Sequence, residues 1–159
     1  MKKKIILLGV IIVGLIIGFF LIKAKIEGIG LSKSYYPDGQ LREVGTIKNG
    51  KFNGLFKGYY PNGRLKMKWA YKDGKKDGEA KFYFESGKLQ ALVNYKNDES
   101  DGVSKFYFEN GKLQAEMAYK AGKLDGVSKT YRPSGEVIYI DTYEKGEMKI
   151  RKPISEKAK

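Results

Sequence analysis

The chain has 159 residues, with 31 Lys and Arg against 18 Asp and Glu, so its formal charge is +13. It contains no Cys and no His, which excludes disulfides, thiol nucleophiles, thiolate or imidazole metal sites and every histidine-based catalytic triad. The length suits one domain plus an anchor rather than two ordinary domains.

Residues 1–25 open with Lys2, Lys3 and Lys4 and continue through 18 uncharged residues, 5–22. As a helix that run measures ~27 Å, close to the ~30 Å hydrocarbon core of a bilayer. A secretory core is shorter, at roughly 7–15 residues, and ends in small side chains. This one ends in Phe19, Phe20, Leu21 and Ile22. Segment 1–25 therefore reads as an uncleaved membrane anchor rather than a cleaved signal. The basic N-terminus places it inside and the rest outside, as a single-pass protein of the cell membrane. Cleavage would make the protein secreted instead. Residues 26–33, with Gly28 and Gly30, read as a flexible linker.

The array, 34–148, is built on one period. Tyr35, Tyr59, Tyr83, Tyr107 and Tyr131 step by 24 residues, and so do Gly39, Gly63, Gly87, Gly111 and Gly135. A fixed period of this length marks stacked repeats, whose extended surfaces usually bind. The third and fourth copies, 81–104 and 105–128, match at 16 of 24 positions. Each copy carries PDG, PNG, ESG, ENG or PSG, which fits a type I turn closed by a left-handed glycine. A second signal, such as NGKFNG, DGKKDG or AGKLDG, reads as a longer turn.

Between the turns the pattern alternates. Leu65, Met67, Trp69 and Tyr71 interleave with Lys66, Lys68, Ala70 and Lys72, as expected of strands with one wet face. No window is long enough for a typical helix of ~11 residues. The expected fold is all-β: an elongated antiparallel meander of about five hairpin repeats, preceded by one N-terminal transmembrane helix. Glu43 and Gly45 in the first copy and Asp141 in the fifth interrupt the apolar face and read as solvent-facing caps. The tail, 149–159, is basic and reads as disordered.

Five of the basic residues fall in 1–25, which leaves +8 on the rest. Solvation of exposed strands explains most of that excess. The sharper reading is attraction to an anionic surface. Twelve Tyr, eight Phe and one Trp are many for this length. Adjacent residues of a strand point to opposite faces, so one member of each aromatic pair is a candidate for the surface. The candidate binding residues are Tyr36, Tyr60, Phe84, Phe108, Lys66, Lys68 and Trp69. An exposed aromatic ladder beside lysines suits a glycan or peptide.

Gly74-Lys75-Lys76 and Gly122-Lys123-Leu124 lack the strand-to-helix setting and the Ser or Thr of a phosphate loop. The acids Asp73, Asp77, Asp98, Glu99, Asp101 and Asp125 sit where turns use them as hydrogen-bond acceptors. No catalytic residue, cofactor or metal is assigned, and the chain reads as a non-enzyme.

DGKKDGEAKFYFESGKLQ (73–90) and AGKLDGVSKTYRPSGEV (121–137) resemble the MORN repeat, and more closely its bacterial MORN-2 variant, over about 33–148. The resemblance implies binding functions: an antitoxin-like protein that neutralises a partner, a surface protein, or a scaffold at membranes. Together with the anchor, it points to a membrane-anchored module that presents an extended binding surface. Its partner would be a protein, a glycan or an anionic envelope surface such as lipid. Outward topology argues against nucleic acid.

Overall fold

A computed structural model describes residues 28–154. The expected anchor, 1–25, lies outside the described residues, as do 155–159. Among the described residues there are strands and turns but no helix. The strands are β1 (Ile29–Tyr35), β2 (Leu41–Lys48), β3 (Lys51–Tyr59), β4 (Leu65–Lys72), β5 (Lys75–Lys76), β6 (Gly78–Tyr83) and β7 (Leu89–Lys96). They continue as β8 (Glu99–Ser100), β9 (Gly102–Tyr107), β10 (Leu113–Lys120), β11 (Lys123–Leu124), β12 (Gly126–Tyr131), β13 (Val137–Glu144) and β14 (Glu147–Pro153).

All fourteen belong to one sheet. Eleven follow one another as neighbours in chain order, while the two-residue strands β5, β8 and β11 fold back on β4, β7 and β10. Every pairing is antiparallel. The meander read from the period is therefore the observed topology.

The turns alternate between two designs. At the first, Gly39 N–H donates to Tyr36 O at 2.9 Å and Tyr36 N–H to Gln40 O at 2.8 Å. Asp38 Oδ1 accepts from Gln40 N–H at 3.0 Å, and Asn62 and Asn110 do the same one and three copies on. Gly39, Gly63, Gly87, Gly111 and Gly135 all have positive φ, between 80° and 102°. This is the expected three-residue hairpin with a glycine bulge.

The second turn is tighter than expected. Asn49-Gly50, Asp73-Gly74, Asn97-Asp98, Ala121-Gly122 and Lys145-Gly146 each place both residues at positive φ. That is the two-residue turn of mirror-image type I, whose twist matches the strands it joins. The apparent extra length is a short strand followed by another left-handed glycine, as at Gly78 and Gly102.

Alternation gives the sheet a packed face and an open one. The packed face holds Phe56, Trp69, Ala80, Ala91 and Val93, with Phe52, Met67, Tyr71, Phe82, Tyr95 and Phe106 against them. Phe56 stacks on Trp69 at 5.2 Å and Phe52 on Tyr71 at 5.2 Å. No second layer covers either face among the described residues, so aromatic side chains must cover one another.

The ends correct three expectations. The linker is already strand from Ile29, and the tail is strand as far as Pro153. Because β1 and β14 flank the outer copies, the supposed caps are not left to solvent. Gly45 is buried beneath Phe52 and Phe56. Asp141 is 4% exposed and takes two hydrogen bonds of 2.9 Å from Arg151, on β14. Burying a carboxylate is costly unless it is paired, and β14 supplies the pair.

Candidate functional site

The sequence-derived residues do not form one site. Trp69 is only 9% exposed and belongs to the core; a bulky indole on the alternating apolar face is where a single sheet gains most burial. Lys76 Nζ lies over its ring at 4.7 Å and over Tyr95 at 5.1 Å. Tyr36, Tyr60, Phe84 and Phe108 are half-buried rather than exposed. Tyr36 donates to the carbonyl of Tyr59 at 2.7 Å, and Tyr60 to that of Tyr83 at 2.8 Å. These two hydroxyls tie the first copy to the second and the second to the third. Burial, followed by the charge of Glu85, raises the Tyr60 pKa above its ordinary value.

Lys66 is exposed and sits over the Tyr60 ring at 5.4 Å. Its strand steps from Leu65 opposite Tyr59 to Met67 opposite Gly58, so Lys66 is the extra residue of a bulge. Lys68 is on the open face. The glycines serve as the turn residues described above.

The open face carries a row that per-residue inspection misses. Lys33 pairs with Val44, Val44 with Lys57, Lys57 with Lys68, and Lys68 with Lys81. The row continues through Leu92, Lys105, Glu116, Lys129, Ile140 and Lys152. Lys33, Lys57, Lys81, Lys105 and Lys129 keep the same 24-residue step as the tyrosines. Reading the period column by column, rather than motif by motif, would have found them. Alternate strands put these lysines ~10 Å apart.

Two acids answer the row. Glu79 pairs with Lys81 at 2.9 Å, and Glu116 lies 3.7 Å from Lys105. Glu116 also accepts from Tyr131 Oη at 2.8 Å. Burial first, then that hydrogen bond, pushes the Tyr131 pKa up to about 12. Two residues before Lys33, Lys57, Lys105, Lys129 and Lys152, and hence on the same face, stand Leu31, Leu55, Val103, Val127 and Ile150, whereas Glu79 takes that place before Lys81. The apolar residues are between 46% and 66% exposed. The face is thus a basic row alongside an apolar one that Glu79 interrupts.

Three of the turn acids accept backbone hydrogen bonds, as expected of them. Asp98 Oδ1 accepts from Lys76 N–H at 2.8 Å, and Asp101 and Asp125 accept from Ala121 and Lys145 N–H at 3.3 Å. Each bridges one copy to a neighbour.

On the packed face, the third and fourth copies leave an open cavity of about 470 Å³. It exists because the repeat thins there. Phe56 of the second copy is replaced at the same step by Ala80, Ser104 and Ser128, and Trp69 by Val93, Met117 and Asp141.

Five tandem hairpins, each closed by a glycine-bulge turn, form a β-meander of stacked repeats. The chain matches the family described as MORN repeat variant at 29–49, 52–73, 76–97, 100–121 and 124–145, and it belongs to that family. Each matched unit is one hairpin around the first type of turn. No curated protein matches the chain.

Proposed function

We propose that the chain is a non-enzymatic, membrane-anchored repeat module whose open face binds an anionic envelope surface. The lysine row carries this reading. Lys57, Lys68 and Lys81 stand opposite one another on three adjacent strands, an arrangement that destabilises a sheet. An anionic partner turns that repulsion into attraction. The exposed Leu and Val row beside it suits a surface with an apolar interior beneath its charge, as a lipid headgroup layer has. The N-terminal sequence supports tethering at a membrane, with the array outside.

The test uses the full chain held by its N-terminal segment in zwitterionic lipid nanodiscs. It is titrated with vesicles containing or lacking phosphatidylglycerol, at several salt concentrations. Each lysine near such a surface contributes ~1 kcal/mol. Neutralising Lys57, Lys68 and Lys81 together to Gln is therefore expected to weaken binding on the order of 100-fold and to flatten the salt dependence. Unchanged affinity in that variant, or affinity indifferent to salt, defeats the reading. Protease digestion of the array in intact cells tests the outward orientation; protection that persists once the outer envelope is permeabilised refutes it.

A further inference from the structure

The cavity between the third and fourth copies has features that packing alone does not account for. In the second copy the same face is filled by Phe52, Phe56, Trp69 and Tyr71, in ring contacts of 5.2 to 6.2 Å. The sheet continues with equal regularity, yet the Phe56 position shrinks to Ala80 one period on and to Ser104 two periods on, and the Met67 position to Ala91. The resulting volume of about 470 Å³ falls within the ~300–1,000 Å³ of small-ligand sites.

Ser104 lines this cavity, is fully buried, and its Oγ has no hydrogen-bond partner. A buried hydroxyl without a partner is destabilising. Its counterpart Ser128 does have one, accepting from Ala118 N–H at 3.4 Å. Around Ser104 stand the aromatic residues Phe82, Phe106 and Tyr95, and the amides Gln90 and Gln114. No Asp, Glu, Lys or Arg lines the cavity. Both glutamines lie one and two periods on from Lys66, so charge is absent where the second copy has it.

We propose that this cavity is a binding site for a neutral saccharide. A sugar ring presents flat C–H faces that lie against aromatic rings, and hydroxyls that both donate and accept. Such a ligand lies against Phe82, Phe106 and Tyr95 while its hydroxyls bond the two exposed amides. A purely apolar ligand leaves both amides without a partner on the ligand. A charged one finds no counter-ion. The site is on the face opposite the lysine row and does not depend on it.

Saturation-transfer NMR on the full chain, followed by calorimetry, tests the proposal. The probes are neutral oligomers of glucose and of N-acetylglucosamine, with a phenylalanine-containing peptide amide as the apolar competitor. Transfer to at least one oligosaccharide is expected. Ser104→Phe restores the second copy's residue and closes the cavity, and it is expected to abolish transfer. Gln114→Ala alters an exposed side chain, and it is expected to weaken binding on the order of tenfold. No transfer to any oligomer at millimolar concentration overturns the proposal. So does unchanged binding in the Gln114→Ala and Ser104→Phe variants, or binding of the peptide amide alone. Ser104→Phe should leave vesicle binding intact, and the triple lysine variant should leave sugar binding intact, so the two readings fail separately.

Discussion

Gly45→Ala adds one methyl group to the packed face and should be costly. A Cβ there would lie 2.6 Å from Phe56 Cδ2 and 3.0 Å from Phe52 Cε1. Neither ring can retreat freely. Phe56 stacks on Trp69 and meets Phe52 edge-on at 5.4 Å, and Phe52 stacks on Tyr71. Overpacking of this kind costs ~1–3 kcal/mol, and each disturbed aromatic pair adds ~0.5–1.5 kcal/mol. Replacing a strand glycine returns ~0.5–1 kcal/mol. The net expectation is a loss of about 2 kcal/mol, or about 8 °C in Tm for an array of this size. Gly58→Ala is the control. Its Cβ would lie 2.6 Å from Met67 Cε, the far end of a flexible side chain. Methionine can rearrange, so this change should stay within about 1 kcal/mol of the wild type. Thermal unfolding followed by far-UV and near-UV circular dichroism measures both. A Gly45→Ala protein as stable as the wild type, or a Gly58→Ala protein equally weakened, would refute the argument from ring packing.

Gly87→Val meets no atom within 4 Å, so its cost is conformational: a β-branched residue at φ 90° should lose ~1–3 kcal/mol in chemical denaturation. Arg151→Ala strands the buried Asp141 carboxylate. The Arg151 side chain is 49% exposed, so the loss is expected to be partial: a lower unfolding midpoint, with faster amide exchange in β14. Tyr131 has a folded pKa raised above its ordinary value of 10.0 to about 12. Its contribution to stability is therefore complete below pH 10 and is lost as pH climbs from 10 to 12. Tyr131→Phe should flatten the fall in stability across that window, and an unchanged alkaline profile would show that burial and the Glu116 hydrogen bond do not hold Tyr131 protonated.

Much of this protein was readable because its repeat is strict. Pro37-Asp38-Gly39 and its four counterparts name their turn through local backbone chemistry, and Leu65 to Lys72 names a strand through alternation. Both are short-range properties, and the structure has them as expected. The second turn was misjudged because Gly74 and Gly78 look like two ends of one loop. Only pairing shows that Lys75 and Lys76 form a strand between them.

What tertiary structure decided was which face is which. Alternation separates two faces but does not label them, and Trp69 and Lys68 are neighbours in sequence. Cross-strand register puts Trp69 against Phe56 and Lys68 between Lys57 and Lys81. The same register turns Asp141 from an expected cap into a buried partner of Arg151, because β14 extends the sheet past the fifth copy. The cavity at Ser104 likewise depends on small side chains from separate strands meeting on one face. Period, turn and strand come from interactions within a few residues of each other. Rows and cavities come from residues about one period apart, brought side by side only when the sheet forms.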